Sequence, residues 1–156
     1  MSDPADAMDL LDQYRTSEEA AKQAESEDLL PTGTYEGQVI AYTVSVGDRP
    51  DNLFYGDPMA RVQAELFNVE GKTRQFFFNA TPVVKQTTSG RMAGASKALL
   101  QMAKATGTVG KSAKETLEAA KMARLKYRVR KSDGGTNQTT GQSYEPGNWL
   151  DAVRAL

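Results

Sequence analysis

The chain has 156 residues, 39% of them hydrophobic and 25% charged, with no cysteine, no histidine and a formal net charge of −1. That length holds one ordinary domain with a hydrophobic core. The two absences exclude disulfides, thiolate nucleophiles, zinc–thiolate sites and any triad built on imidazole. Beyond residue 30 the acids are scattered from Glu36 to Asp151 and form no recognisable metal-ligand cluster. The expectation is a protein that is not an enzyme and uses no cofactor.

The small net charge hides a division. Residues 1–28 carry nine acids and two bases, whereas residues 29–156 carry seventeen bases and eleven acids. A basic body behind an acidic tail is the asymmetry expected of a chain that meets a polyanion. No stretch approaches the roughly 18 apolar residues of a membrane span, and the chain opens Ser2-Asp3-Pro4 in place of a basic and then apolar leader, so the cytoplasm is the expected compartment.

From Ala5 to Asp28, Met8, Leu10, Leu11 and Tyr14 are mixed with acids and followed by the alanine-rich stretch Glu18 to Ala24. Residues 1–29 therefore read as a frayed or partly helical arm, with one apolar patch able to dock on the body or on a partner. Leu29-Leu30-Pro31-Thr32-Gly33 breaks any helix, because proline lacks a donor and disfavours helix in the residue before it. The folded domain is expected over residues 30–156.

Thr34 to Val46 is rich in Tyr, Val, Ile and Thr and predicts a long curved strand, with Gly37 marking a bend or bulge. Residues 47–58 are dense in turn formers and carry Phe54 and Tyr55, which predicts a long loop. Met59 to Val69 alternates Ala60, Val62, Ala64 and Leu66 against Arg61, Gln63, Glu65 and Phe67, the pattern of a second strand. Glu70-Gly71-Lys72 is a tight turn into a third strand from Thr73 to Ala80. Within it, a period of two sets Phe76 and Phe78 opposite Phe77. Facing outward with Arg74, the pair makes a basic aromatic platform; facing inward, it is core and Phe77 is the exposed ring.

Met92 to Ala105 predicts a helix, ended by Gly107 and Gly110, and Ser112-Ala113-Lys114-Glu115 matches a capping box opening a second helix to about Met122. The stretch Ala105 to Ser112 mimics a phosphate-binding loop, but a genuine one follows a buried strand and this one follows a helix. A glycine helix end followed by a serine cap accounts for it. Leu125, Tyr127 and Val129 alternate with Lys126, Arg128 and Arg130, which predicts a fourth strand with a basic outer face. The loop Ser132 to Gly141 leads to a fifth strand near Gln142 to Glu145, and Asn148 to Leu156 closes the chain as a helical turn. Five strands with helices between the third and fourth give a mostly β, α+β fold with the element order of an OB-like barrel.

Leu30-Pro31-Thr32-Gly33-Thr34-Tyr35-Glu36-Gly37-Gln38-Val39, the phenylalanine strand, the helices and the glycine-rich hairpin ending at Pro146 resemble a family of bacteriophage single-stranded-DNA-binding proteins with OB-like folds. The resemblance implies stoichiometric, sequence-independent binding of single strands in phage DNA replication or recombination, in the host cell cytoplasm and without a cofactor. Single-strand binders of this kind often end in an acidic tail, whereas this chain carries its acids in front. On this reading the first loop contributes Arg49, Phe54 and Tyr55. The hairpin contributes Arg61, Arg74, Phe76 and Phe78, and the fourth strand Lys126, Arg128, Arg130 and Lys131. The expected partners are single-stranded DNA, with RNA left open, and a phage or host replication or recombination protein met through the N-terminal arm; a homo-oligomer is also open. The alternative reading is a phage structural or adaptor protein whose barrel binds another protein.

Overall fold

The computed structural model describes residues 29–136, 141 and 143–156, together with residues 7, 9–11, 17 and 20. It divides into two units, Leu30–Lys131 with Asn148–Leu156, and Met1–Leu29 with Ser132–Gly147. In chain order the elements are β1 (Gly33–Val46), β2 (Pro58–Val69), β3 (Lys72–Ala80), α1 (Gly94–Thr106), α2 (Ala113–Lys121), β4 (Leu125–Ser132), β5 (Gly135–Thr136), β6 (Ser143–Tyr144) and β7 (Gly147–Ala155). The fold is α+β and mostly β. None of the helices, among the described residues, is long and apolar enough to cross a membrane.

The larger unit is organised by β1. Its first residues pair antiparallel with β4, from Gly33 opposite Val129 to Gly37 opposite Leu125. Its remainder pairs antiparallel with β2, from Gly37 opposite Leu66 to Val46 opposite Pro58. Gly37 thus belongs to both ladders, and the strand is hemmed in there. A Cβ at Gly37 would lie 2.6 Å from the Glu65 carbonyl oxygen and 2.7 Å from Leu66 Cδ2, so only glycine fits. The expected irregularity falls slightly later, as a register slip between Val39 and Ala41, which adds the local twist of a bulge.

The strand order is β3-β2-β1-β4-β7, with β3 and β7 as the two edges of an open sheet. No ladder joins those edges among the described residues. Helix α1 packs on β3, and its Gln101 side chain accepts a hydrogen bond from the Val153 amide of β7 at 2.8 Å. The fifth strand of the sheet is therefore β7, where the sequence suggested a helical turn. The segment expected to supply that strand, Gln142 to Glu145, contributes only β6, which pairs with β5 in a two-stranded ladder within the smaller unit.

One face of the sheet holds the core. Val39, Val62, Ala64, Leu66, Phe76, Phe78, Tyr127 and Val129 are buried there with Leu99 and Met102 of α1 and Leu117 of α2. Phe76 and Phe78 stack at 5.8 Å between centroids, and Phe78 meets Tyr127 at 6.1 Å. Each fully buried side chain of this size contributes about 1.5–3 kcal/mol over exposure. The helices end as their sequences indicate. Gly107 caps α1 in the left-handed region at φ 72, and the Ser112 hydroxyl accepts from the Glu115 amide at 3.2 Å. A hydroxyl contact of 2.7 Å between Thr108 and Thr116 ties the junction after α1 to α2. The phosphate-loop lookalike is thus a helix junction.

Candidate functional site

The other face of the same sheet is polar and cationic, because every second residue of β2, β3 and β4 points away from the core. Arg61 and Gln63 of β2 stand opposite Asn79 and Phe77 of β3. The Arg61 guanidinium lies 5.5 Å from the Phe77 ring centroid and donates to Asn79 Oδ1 at 3.3 Å. Phe77 is 44% exposed. Along β4, Lys126, Arg128 and Arg130 are exposed while Leu125, Tyr127 and Val129 are buried. A second arginine–aromatic pair forms where Arg124 covers Phe67 at 4.7 Å.

The loop between β1 and β2 is built from within and held from outside. Arg49 and Asn52 form its first turn, and the Asn52 side chain accepts from the Phe54 amide at 2.9 Å. Lys85, which follows β3, donates to the Leu53 carbonyl at 2.8 Å, pairs with Asp57 at 2.6 Å and lies 5.8 Å from the Phe54 ring. Phe54 is consequently only 8% exposed, whereas Tyr55 is 55% exposed. Arg49 and Arg61 line one concavity of about 380 Å³ with Ser45, Asn52 and Asn79, which joins the loop to the Arg61 end of the outer face.

Several expected contacts are corrected by these positions. Phe76 and Phe78 are 4% and 5% exposed and belong to the core, so the aromatic platform they would form with Arg74 does not exist. Phe77 is the ring that faces out. Arg74 stands opposite Leu66, on the core-facing register at the end of the hairpin, away from Arg61. Phe54 is largely buried as the anchor of the loop and reaches the surface only as part of the wall of the concavity shared with Arg49 and Arg61. Lys131 shares the parity of Val129 and is half-buried, with its amide donating to Thr32 Oγ1 at 2.9 Å, so it leaves the stripe of Lys126, Arg128 and Arg130. Arg49, Tyr55, Arg61, Lys126, Arg128 and Arg130 remain exposed. Met8 and Tyr14 of the apolar patch in the arm lie outside the described residues; Leu10 and Leu11 are exposed.

Three residues join the site that the sequence reading did not single out, Phe67, Arg124 and Arg154, and Phe77 joins it as the ring that the inward alternative leaves exposed. Arg154 of β7 lines a concavity of about 260 Å³ with Thr34, Lys126, Arg128 and Ala152. Strand parity was the available signal for Phe67 and Phe77, which alternate with buried neighbours. No His, Cys, Asp or Glu grouping suited to a metal ion occurs among the described residues.

The core-facing side carries an apolar opening. A cavity of about 460 Å³ lies among Tyr42, Val44, Pro58, Ala80, Leu99 and Leu117, with Lys114 as its one charged wall residue. At its rim the Tyr42 hydroxyl donates to Glu118 Oε1 at 2.7 Å, which raises the phenol pKa and lowers that of the carboxyl. Comparison of the chain with protein-family models, curated proteins and solved structures finds no match.

Proposed function

We propose that this protein binds single-stranded nucleic acid, DNA in the first place, across the outer face of its sheet. The observation that carries the reading is the combination on that face of an exposed ring under an arginine, Phe77 with Arg61, and a row of outward cations, Lys126, Arg128 and Arg154. Stacking accepts any base and phosphate attraction accepts any sequence, so the pair of features suits binding without sequence preference. The strand order, with helices between the third and fourth strands and β1 shared by two ladders, supports an OB-like arrangement in which the β3 and β7 edges are left apart. Coating of single strands during phage DNA replication or recombination is the role that fits, with the acidic N-terminal arm available to a replication or recombination protein. None of this requires catalysis or a cofactor.

An anisotropy titration with labelled oligothymidylate at two salt concentrations tests the reading. Affinity should fall with salt at a log–log slope of about −0.7 for each phosphate neutralised. Phe77→Ala should cost about 1–3 kcal/mol of binding through the lost stacking. No binding at low salt, or binding indifferent to salt, overturns the reading. The apolar cavity beside Tyr42 and Leu117 favours a second one, an adaptor that grips an apolar side chain of another protein. That reading predicts a partner interaction untouched by Phe77→Ala.

A further inference from the structure

Acids and bases are unevenly shared where β1, β4 and β7 lie side by side. Glu36 stands opposite Lys126 across the ladder, yet its carboxylate is 3.5 Å from Arg124. Asp151 of β7 is 3.6 Å from Arg130. The two acids are thus taken by the cations at either end of the row. Lys126, Arg128 and Arg154 have no carboxylate within ion-pair distance among the described residues. These three cations line the same concavity of about 260 Å³. Thr34, the direct cross-strand partner of Arg128, adds a hydroxyl to the wall, and Ala152 leaves the space open where a longer side chain would fill it.

Three unpaired positive charges around one hollow repel one another, and an anion of more than one charge offsets that repulsion better than a single charge. A phosphodiester inside a strand carries one negative charge. A phosphate monoester at its end carries about −1.5 to −2 near neutral pH and presents three acceptor oxygens. The hollow is also smaller than the roughly 300–1,000 Å³ usual for whole small-molecule ligands, which suits a group and not an entire nucleotide. We infer that the concavity of Thr34, Lys126, Arg128, Ala152 and Arg154 is a terminal-phosphate site, which takes the phosphate monoester at the end of a single strand lying on the outer face. The inference rests on the single-strand reading and adds to it a preference for phosphorylated ends.

The experiment titrates the full chain with oligothymidylates of one length that carry a 5′-phosphate, a 3′-phosphate or hydroxyls at both ends, and with a circular single strand. Inorganic phosphate and thymidine monophosphate serve as competitors. One phosphorylated end should bind about tenfold more tightly than the hydroxyl-ended strand, the gain expected of one or two added charge-assisted hydrogen bonds. Arg154→Gln, which removes one of the three charges, and Ala152→Leu, which fills the hollow, should each bring that ratio to about one, whatever either does to overall affinity. If all linear and circular strands bind equally, the end-site is overturned while single-strand binding stands. If no strand binds, both readings fall. If thymidine monophosphate binds but strands do not, the hollow belongs to a free phosphate monoester and the end-site is overturned as well.

Discussion

The two faces of the central sheet are made from the same strands, one residue out of phase, and they obey different rules. On the inner face Val62, Phe76, Phe78 and Tyr127 are held by neighbours on several sides, and their identity fixes the geometry. On the outer face Arg61, Phe77, Lys126 and Arg128 are exposed, so their replacement should cost the fold little. Stability and the proposed binding should therefore be separable, because a period of two assigns core and outer face to alternate positions.

The sharpest way to break that separation is from the inside. Phe78→Ala removes a ring packed between Phe76 and Tyr127 and should cost about 3–5 kcal/mol, read as a fall in the urea midpoint. Gly37→Ala should cost about 1–3 kcal/mol, since the added methyl meets the Glu65 carbonyl where β1 changes partners. The same measurement on Gln63→Ala, an outward neighbour of Phe77, should stay within about 0.5 kcal/mol. A loss comparable to that of Gly37→Ala would mean the outer face is structural after all.

Tyr127 sharpens the comparison in the opposite direction. Its ring is wholly buried, but its hydroxyl has no hydrogen-bond partner among the described residues. Tyr127→Phe should therefore stabilise the fold by about 1 kcal/mol. Burial also pushes this phenol well above its ordinary pKa. The folded state keeps the proton while the unfolded state releases it, so that contribution is complete below pH about 10 and is lost as pH rises beyond. Thermal melts from neutral to alkaline pH should show a steeper decline for the parent than for Tyr127→Phe. The decline that remains belongs to Tyr35 and Tyr42, whose phenols are also raised, Tyr35 first by burial and Tyr42 first by its bond to Glu118. Parallel curves would count against the buried hydroxyl.

How much of this was legible beforehand follows the same period. The alternation runs cleanly from Ala60 to Leu66 of β2 and from Leu125 to Arg130 of β4, so the buried and exposed residues there could be assigned from the sequence, and the serine cap of α2 announced itself. The phenylalanine strand was ambiguous because both of its faces are aromatic, and only the ladder with β2 sets Phe76 and Phe78 inward. Strand β7, expected as a helical turn, lacks the clean alternation that marks a strand. Leu150 and Val153 both pack on the core although they are three residues apart, a spacing that mimics one face of a helix. With that strand went Arg154. The burial of Phe54 was beyond local pattern altogether, because it depends on Lys85 reaching back to Leu53 and Asp57.

The open sheet leaves this protein a task that a closed barrel never faces. An edge strand with free amides is a template on which another extended chain can add itself. On β7 the Val153 amide is occupied by the Gln101 side chain, a single decoy acceptor supplied by the helix that packs on β3. Replacing Gln101 by alanine frees that amide and should leave the isolated fold nearly intact yet make the protein more prone to concentration-dependent aggregation, read by light scattering.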